Sequence, residues 1–412
     1  MVYLLSFRRH YNPNLTFSHG YFLFPIMGVT LALTVSLSGI IEKKIGPRKT
    51  VTFSTLVLCL SFIFLYFSRN IIIDYFIMSC IGFGIALGIK IPKKNALSFF
   101  MNRKALISGI AYIVPTFINA GLAFFNEKYI LNPLGEGPTI EKTYYDEKIF
   151  LNYQKLIIFE IGFLIIIYII SMLTFFQNNP KETIKFGFGE NTKGNGGIEK
   201  QNKNENENES KKLMFKKALF SKRTLKLFLM LFLFFPTIRF INYTWRPIGI
   251  YYKIRTDYLQ LIRALFSITG SFSSIFFSLI GDKVKFKYLF CCLAICITII
   301  SLTFPISFKH SFLFVCEIIA NAFIIVGFNI IIDPFIMKVY GRENFVEISG
   351  IVKSASGIAE ICSVFLAFYL ENYMTENKDY AYKWMYCISG FSGFISFILG
   401  IFINDDKFNY ND

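Results

Sequence analysis

A few ionisable side chains lie deep inside long apolar stretches, where a charge at mid-bilayer costs about 2.5–3.5 kcal/mol on insertion scales. Arg239, Asn242 and Arg246 recur at i, i+3 and i+7 after Pro236, which places them on one face of a helix. The proline leaves a backbone carbonyl unpartnered and bends the helix toward a cavity. Arg246 is close enough to the stretch's end to snorkel, with Trp245 as an interfacial anchor. Arg239 lies roughly 10 Å deeper at 1.5 Å rise per residue. Glu317 and Asn321 stand at i and i+4 in another stretch, and counting from its outer end puts Glu317 level with Arg239. A buried Arg239–Glu317 pair, broken and reformed as a proton or an anion binds, is the expected coupling device; a static pair is the plain alternative. Lys353, Ser356, Gly357 and Glu360 form a third stripe. An ammonium at the depth of Lys353 is a strong charge-assisted donor to a carboxylate, unless Lys353 and Glu360 merely hold helices together.

Bond-making chemistry finds no comparable support. The eight cysteines sit inside apolar stretches without zinc-like spacing, and His10, His19 and His310 form no cluster. No metal, no cofactor and no enzymatic activity are expected. The formal net charge of +16 does not point to nucleic acid, because the excess Lys and Arg lie in short segments between apolar stretches and in one central insert. The lipid bilayer is the expected partner, and the chain is expected to be a monomer.

The elements that must position these side chains are eleven apolar stretches, at about 20–41, 50–68, 71–90, 104–125, 155–177, 223–250, 259–281, 286–306, 310–335, 344–370 and 382–404. A hydrocarbon core of about 30 Å takes roughly 20 helical residues and offers the backbone no hydrogen-bond partners, so stretches of this length read as membrane-spanning helices. The composition, 54% hydrophobic and 18% aromatic over 412 residues, agrees. The expected fold is all-α and polytopic, with two helical bundles: a short segment 1–19, a five-helix bundle 20–178, a linker 179–222, a six-helix bundle 223–404 and a tail 405–412. The linker's core, Glu190 to Lys212, is low-complexity and polar, too poor in apolar surface to fold. Lys and Arg collect after the first, third, fifth, seventh and ninth stretches, which predicts a cytosolic linker and C-terminus. Plasma membrane and organelle membrane stay open.

Two segments then pair up. Gly39-Ile-Ile-Glu-Lys-Lys-Ile-Gly-Pro-Arg-Lys49 and Ser278-Leu-Ile-Gly-Asp-Lys-Val-Lys-Phe-Lys287 both resemble the G-x-L-x-D-R-x-G-R-R loop of major facilitator transporters, through Gly39, Glu42, Lys44, Gly46, Arg48, Asp282 and Lys283. Lys43 stands where the family has Asp, and Lys285 replaces the turn Gly of the second copy. In that family the loop joins the second and third helices of each six-helix half, so the resemblance implies that the helix without a counterpart here is the first. Either the chain is a shortened member or its first coding exon precedes this sequence.

A finer resemblance is to the oxalate:formate antiporter and monocarboxylate-porter branch. It rests on Ser38 to Arg48 with its Gly-Pro-Arg turn, the glycine-rich Ile81 to Gly88, Phe99 to Gly109, and Tyr340 to Gly350 with its Tyr-Gly-x-x-Asn start. The resemblance implies a secondary carrier, symporter or antiporter, that moves a small organic anion such as pyruvate or lactate by alternating access, with protons as the coupling ion. It further implies that Arg239, Asn242, Lys353 and Ser356 bind substrate, Ser356 standing where oxalate carriers have a basic residue, and that Glu317 and Glu360 couple protons. Ser274 occupies the place of the substrate-binding Arg of monocarboxylate members. The competing readings are a carrier of another small solute, a sugar or amino acid, and a receptor-like protein that keeps the fold without transport.

Overall fold

The computed structural model describes residues 2–15, 17–20, 22–99, 103–131, 151–174, 217–218, 220–254, 256–341, 344–373, 378–403 and 406. Most of the linker expected at 179–222 lies outside them, as do the side chains of Asn119, Arg246 and Arg263. Twelve helices of ten or more residues are described: α1 (Val2–Tyr11), α2 (Leu23–Ile45), α3 (Pro47–Phe67), α4 (Ile71–Phe99), α5 (Lys104–Phe125), α6 (Asn152–Thr174), α7 (Lys222–Tyr251), α8 (Thr256–Gly281), α9 (Phe286–Ser307), α10 (Ser311–Tyr340), α11 (Phe345–Tyr373) and α12 (Lys378–Ile401).

Nine of these, all but α1, α5 and α8, are long and apolar enough to cross a membrane, and α5 and α8 carry shorter apolar stretches. They occupy the eleven predicted places. Large apolar side chains face outward along them: Phe67 is 70% exposed, Phe76 71%, Phe272 66% and Phe312 81%. A surface so apolar is unfavourable in water and suits hydrocarbon. Of the helices that outrun their predicted ends, α4 and α10 do so furthest. The third stretch was expected to stop at Lys90 but α4 continues to Phe99, and α10 continues past Asp333 and Pro334 to Tyr340. Lysines ordinarily mark a span's end; Lys90, Lys93 and Lys94 each reach a carboxylate, so the helix keeps them inside.

The helices form two halves, α1–α6 and α7–α12. Large buried side chains fill the second half, with Phe234, Phe290 and Phe328 in mutual ring contact at 5.1–6.1 Å. A smaller core in the first half joins Leu4, Leu5 and Phe7 of α1 to Leu65, Ile77, Met78, Ile81, Tyr153 and Ile157. The halves meet along two seams, α2 against α11 and α5 against α8. Small residues let the backbones approach, as expected where lipid offers no hydrophobic drive for helices to associate. A Cβ added at Gly350 would fall 2.3 Å from the Ser36 nitrogen, and one at Gly357 2.6 Å from the Ala32 Cβ. The α2–α3, α4–α5 and α8–α9 turns carry Lys43, Lys44, Arg48, Lys49, Arg103, Lys283 and Lys285, all exposed; this is the basic end.

Candidate functional site

Three polar layers are stacked from the basic end toward the middle, the first two crossing the interface and the third lying within the second half beside it. The first is the pair of loop signatures. Gly46 ends α2 with φ +87°, its amide donating to the Glu42 carbonyl at 2.9 Å, and Pro47 opens α3; only a glycine adopts that φ without strain. Glu42 is buried and accepts from Lys94 Nζ at 3.0 Å. Lys43 pairs across the seam with Glu347 in the first turn of α11, and Glu347 lies against Gly39. Lys44 and Arg48 are exposed. In the second copy Asp282 accepts from the backbone amides of Ala105 at 2.8 Å and Leu106 at 3.2 Å. It therefore satisfies free donors at the start of α5 and sits at the positive end of its dipole. Lys283, beside it, is exposed. The two copies thus use opposite charge: an acid on the loop in one, and in the other a lysine that finds its acid on the facing helix.

The second layer centres on Asp333 of α10, whose side chain is only 1% exposed. Lys90 Nζ donates to both its oxygens at 2.8 Å, Lys93 Nζ donates at 2.6 Å, and Ser349 Oγ lies at 3.3 Å. Lys353 Nζ stands 3.2 Å away, and its side chain is the most exposed of the three lysines at 20%. Lys90 and Lys93 come from the first half, Asp333 and Lys353 from the second. Three ammonium groups face one carboxylate, a formal excess of two positive charges. Burying an ion costs several kcal/mol even after relaxation, so this surplus is held only because the carboxylate is shared. Lys93 also lies 6.0 Å from the Tyr112 ring centroid of α5.

The third layer lies roughly 10 Å further in, the rise from Lys353 to Glu360 along α11. Arg239 Nη2 pairs with Glu360 Oε2 at 3.1 Å, the arginine side chain 27% exposed and the glutamate side chain 3%. The guanidinium stands 5.6 Å from the Phe235 ring centroid. One turn along α7, Asn242 Oδ1 accepts from Asn321 Nδ2 of α10 at 3.3 Å.

Arg239, Asn242, Asn321 and Glu360 are therefore brought together, and Lys353 lies one layer below. The expected partners are exchanged: Arg239 pairs with Glu360, and Lys353 with Asp333. Glu317 lies near Thr303 and Ser307 of α9 rather than Arg239; it is 7% exposed, its Oε2 has no hydrogen-bond partner among the described residues, and the two hydroxyls donate to backbone carbonyls of α9. Ser356 Oγ donates to the Lys353 carbonyl at 2.7 Å. Ser274 sits in the α5–α8 seam, its Oγ 3.4 Å from the Gly109 carbonyl. In the sequence Lys90 and Asp333 stand near the ends of apolar stretches, and Lys93 stands among the basic residues that follow the third; the signal for a shared site was the i, i+3 spacing of two lysines continuing an apolar stretch.

Two helical halves, joined along small-residue seams and by shared charges inside an apolar shell, define a two-bundle membrane carrier. The sequence profile of the Major Facilitator Superfamily matches residues 150–363, just over half of the chain, and the chain belongs to that superfamily. No curated protein matches it. Among solved structures it is similar to the proton:xylose symporter XylE bound to 6-bromo-6-deoxy-D-glucose, with a TM-score of 0.69 and 11% identity over 96% of this chain and 90% of that one. It is also similar to the transporter FucP in the outward conformation, with a TM-score of 0.63 and 11% identity over 98% and 96%. At such identity the likeness is one of fold.

Proposed function

We propose that the protein is a secondary carrier of a small organic anion, a monocarboxylate such as pyruvate or lactate, working by alternating access with proton coupling. The supporting observation is the surplus of buried positive charge around Asp333. A substrate carboxylate can take a share of these donors at Lys353, the most accessible of them, without creating an unpaired ion. Arg239 and Asn242 receive it one layer further in, and Ser356 lines the path between. Glu360, set against a guanidinium that is itself partly accessible, is assigned the coupling proton: when protonated it releases Arg239 to the anion. Glu317, buried beside α9 with an unpartnered carboxylate oxygen, is the second candidate of the coupling pair.

The test is uptake of labelled lactate and pyruvate into proteoliposomes under an imposed pH gradient, with xylose alongside. Saturable, gradient-driven carboxylate flux is expected. Flux of xylose alone would replace the anion reading with a sugar one, and no flux of any solute would favour a receptor-like protein. Lys353→Ala is expected to lower carboxylate kcat/KM by about ten- to a hundredfold, the range of a hydrogen bond to a charged group; unchanged uptake would remove Lys353 from substrate binding. Glu360→Gln is expected to flatten the pH dependence of uptake while Glu317→Gln leaves it in place. The reverse pattern would move the coupling role to Glu317.

A further inference from the structure

The carboxylate of Glu360 has a wall on the other half of the molecule. A Cβ built on Gly28 of α2 would fall 2.8 Å from Glu360 Oε2, 2.9 Å from Oε1 and 3.0 Å from Cδ. Both carboxylate oxygens therefore sit where any other residue at position 28 would put its first carbon. The far end of a glutamate normally moves aside cheaply, but this one is held by Arg239 at 3.1 Å, so displacement comes at the expense of the ion pair. Arg239 and Glu360 both belong to the second half, whereas Gly28 belongs to the first.

We infer that Gly28 is a positioning residue: it presents the notch that seats Glu360 on Arg239, so that separation of α2 from α11 is transmitted directly to the ion pair. While the seam is closed, the carboxylate is confined between the α2 backbone and the guanidinium. As the seam opens, the confining wall withdraws, the pair loosens and Arg239 becomes available to an anion. This rests on the reading of Arg239 as an anion-binding residue, and its readout is chosen to be independent of which anion is carried.

The experiment is a double-mutant cycle with Gly28→Ala and Glu360→Asp in the full-length protein. It is read by the rate at which phenylglyoxal modifies Arg239, followed by mass spectrometry, and by carboxylate uptake. Gly28→Ala alone is expected to raise Arg239 reactivity about tenfold and to raise KM more than it lowers kcat. Aspartate draws the carboxylate back by one methylene and makes room for the new methyl, so Gly28→Ala should then add no further effect to Glu360→Asp. Gly162→Ala, where a Cβ meets nothing within 4 Å, serves as the control and should match the parent. If Gly28→Ala does not fold, the double variant should fold and behave as Glu360→Asp does. Equal effects of Gly28→Ala in both backgrounds, or unchanged Arg239 reactivity, would reduce Gly28 to seam packing and overturn the inference. A parent protein that moves no carboxylate but shows the coupled Arg239 reactivity would sustain the inference and remove the proposed substrate instead.

Discussion

Asp333→Asn is expected to destabilise the protein by about 3–5 kcal/mol, the range observed when one member of a buried ion pair is removed. The substitution is nearly isosteric, so the loss is electrostatic: Lys90, Lys93 and Lys353 would share a neutral amide in a site where Asp333 is 1% exposed. More exposed ion pairs are worth less. Lys43 opposite Glu347 is half exposed, and a solvated pair contributes about 0–1 kcal/mol. Arg239 keeps 27% of its side chain accessible, which leaves it partly screened. Chemical unfolding in detergent, followed by helical circular dichroism, measures the difference. Adding Lys90→Met to Asp333→Asn should recover part of the loss by withdrawing one uncompensated cation. A loss below about 1 kcal/mol would mean that the three ammonium groups do not depend on this carboxylate. Because Asp333 ties α4 to α10 and α11, the same variant should also loosen the basic end, which cysteine cross-linking across the α2–α11 seam would register.

What could be read from the chain and what could not divide along one physical line. Spacing along one helix was legible, because rise per residue is fixed, so Lys353 and Glu360 fall about two turns apart on α11. Rotation about the helix axis was not. In water a helix announces its inner face by an apolar stripe, but a spanning helix is apolar toward lipid and toward protein alike. α10 is the clearest case. Glu317 and Asp333 lie on one almost uniformly apolar helix, and nothing in its pattern shows that Glu317 faces Thr303 and Ser307 while Asp333 faces three lysines. The expected Arg239–Glu317 pairing gives way to Arg239–Glu360 for this reason. The loop signatures were legible because their chemistry is local: Gly46 needs its positive φ and Asp282 needs a helix start. Their mates, Glu347 and the α5 amides, come from the opposite half and could be found only in three dimensions.

The segment before the first predicted span shows the same limit and leads to the second large effect. Arg8 lies in the ten-residue α1, and its side chain is fully buried, as is that of Asp74 in the first turn of α4. Arg8 Nε donates to Asp74 Oδ2 at 2.5 Å and Nη2 to Oδ1 at 2.9 Å, a two-point fork, while Nη1 reaches the Ser68 carbonyl and Nη2 the Leu65 carbonyl at 3.2 Å. The guanidinium also stands 5.0 Å from the Phe7 ring centroid. One arginine thus ties α1 to the α3–α4 turn and to α4, and planar bidentate geometry of this kind is not available to lysine. Arg8→Met is expected to cost about 3–5 kcal/mol, since it strands a buried carboxylate. Arg8→Lys should recover only part of that loss. The double variant Arg8→Met with Asp74→Leu should cost much less than either single change, because replacing both partners by apolar groups removes the desolvation of both ions together. The same detergent unfolding assay decides it. Losses that cancel would show that Arg8 and Asp74 act as one coupled fork, with α1 held to the first half by the apolar contacts of Leu4, Leu5 and Phe7. Additive losses in the double variant would show instead that the two side chains stabilise the protein independently, and would overturn the reading of a coupled fork.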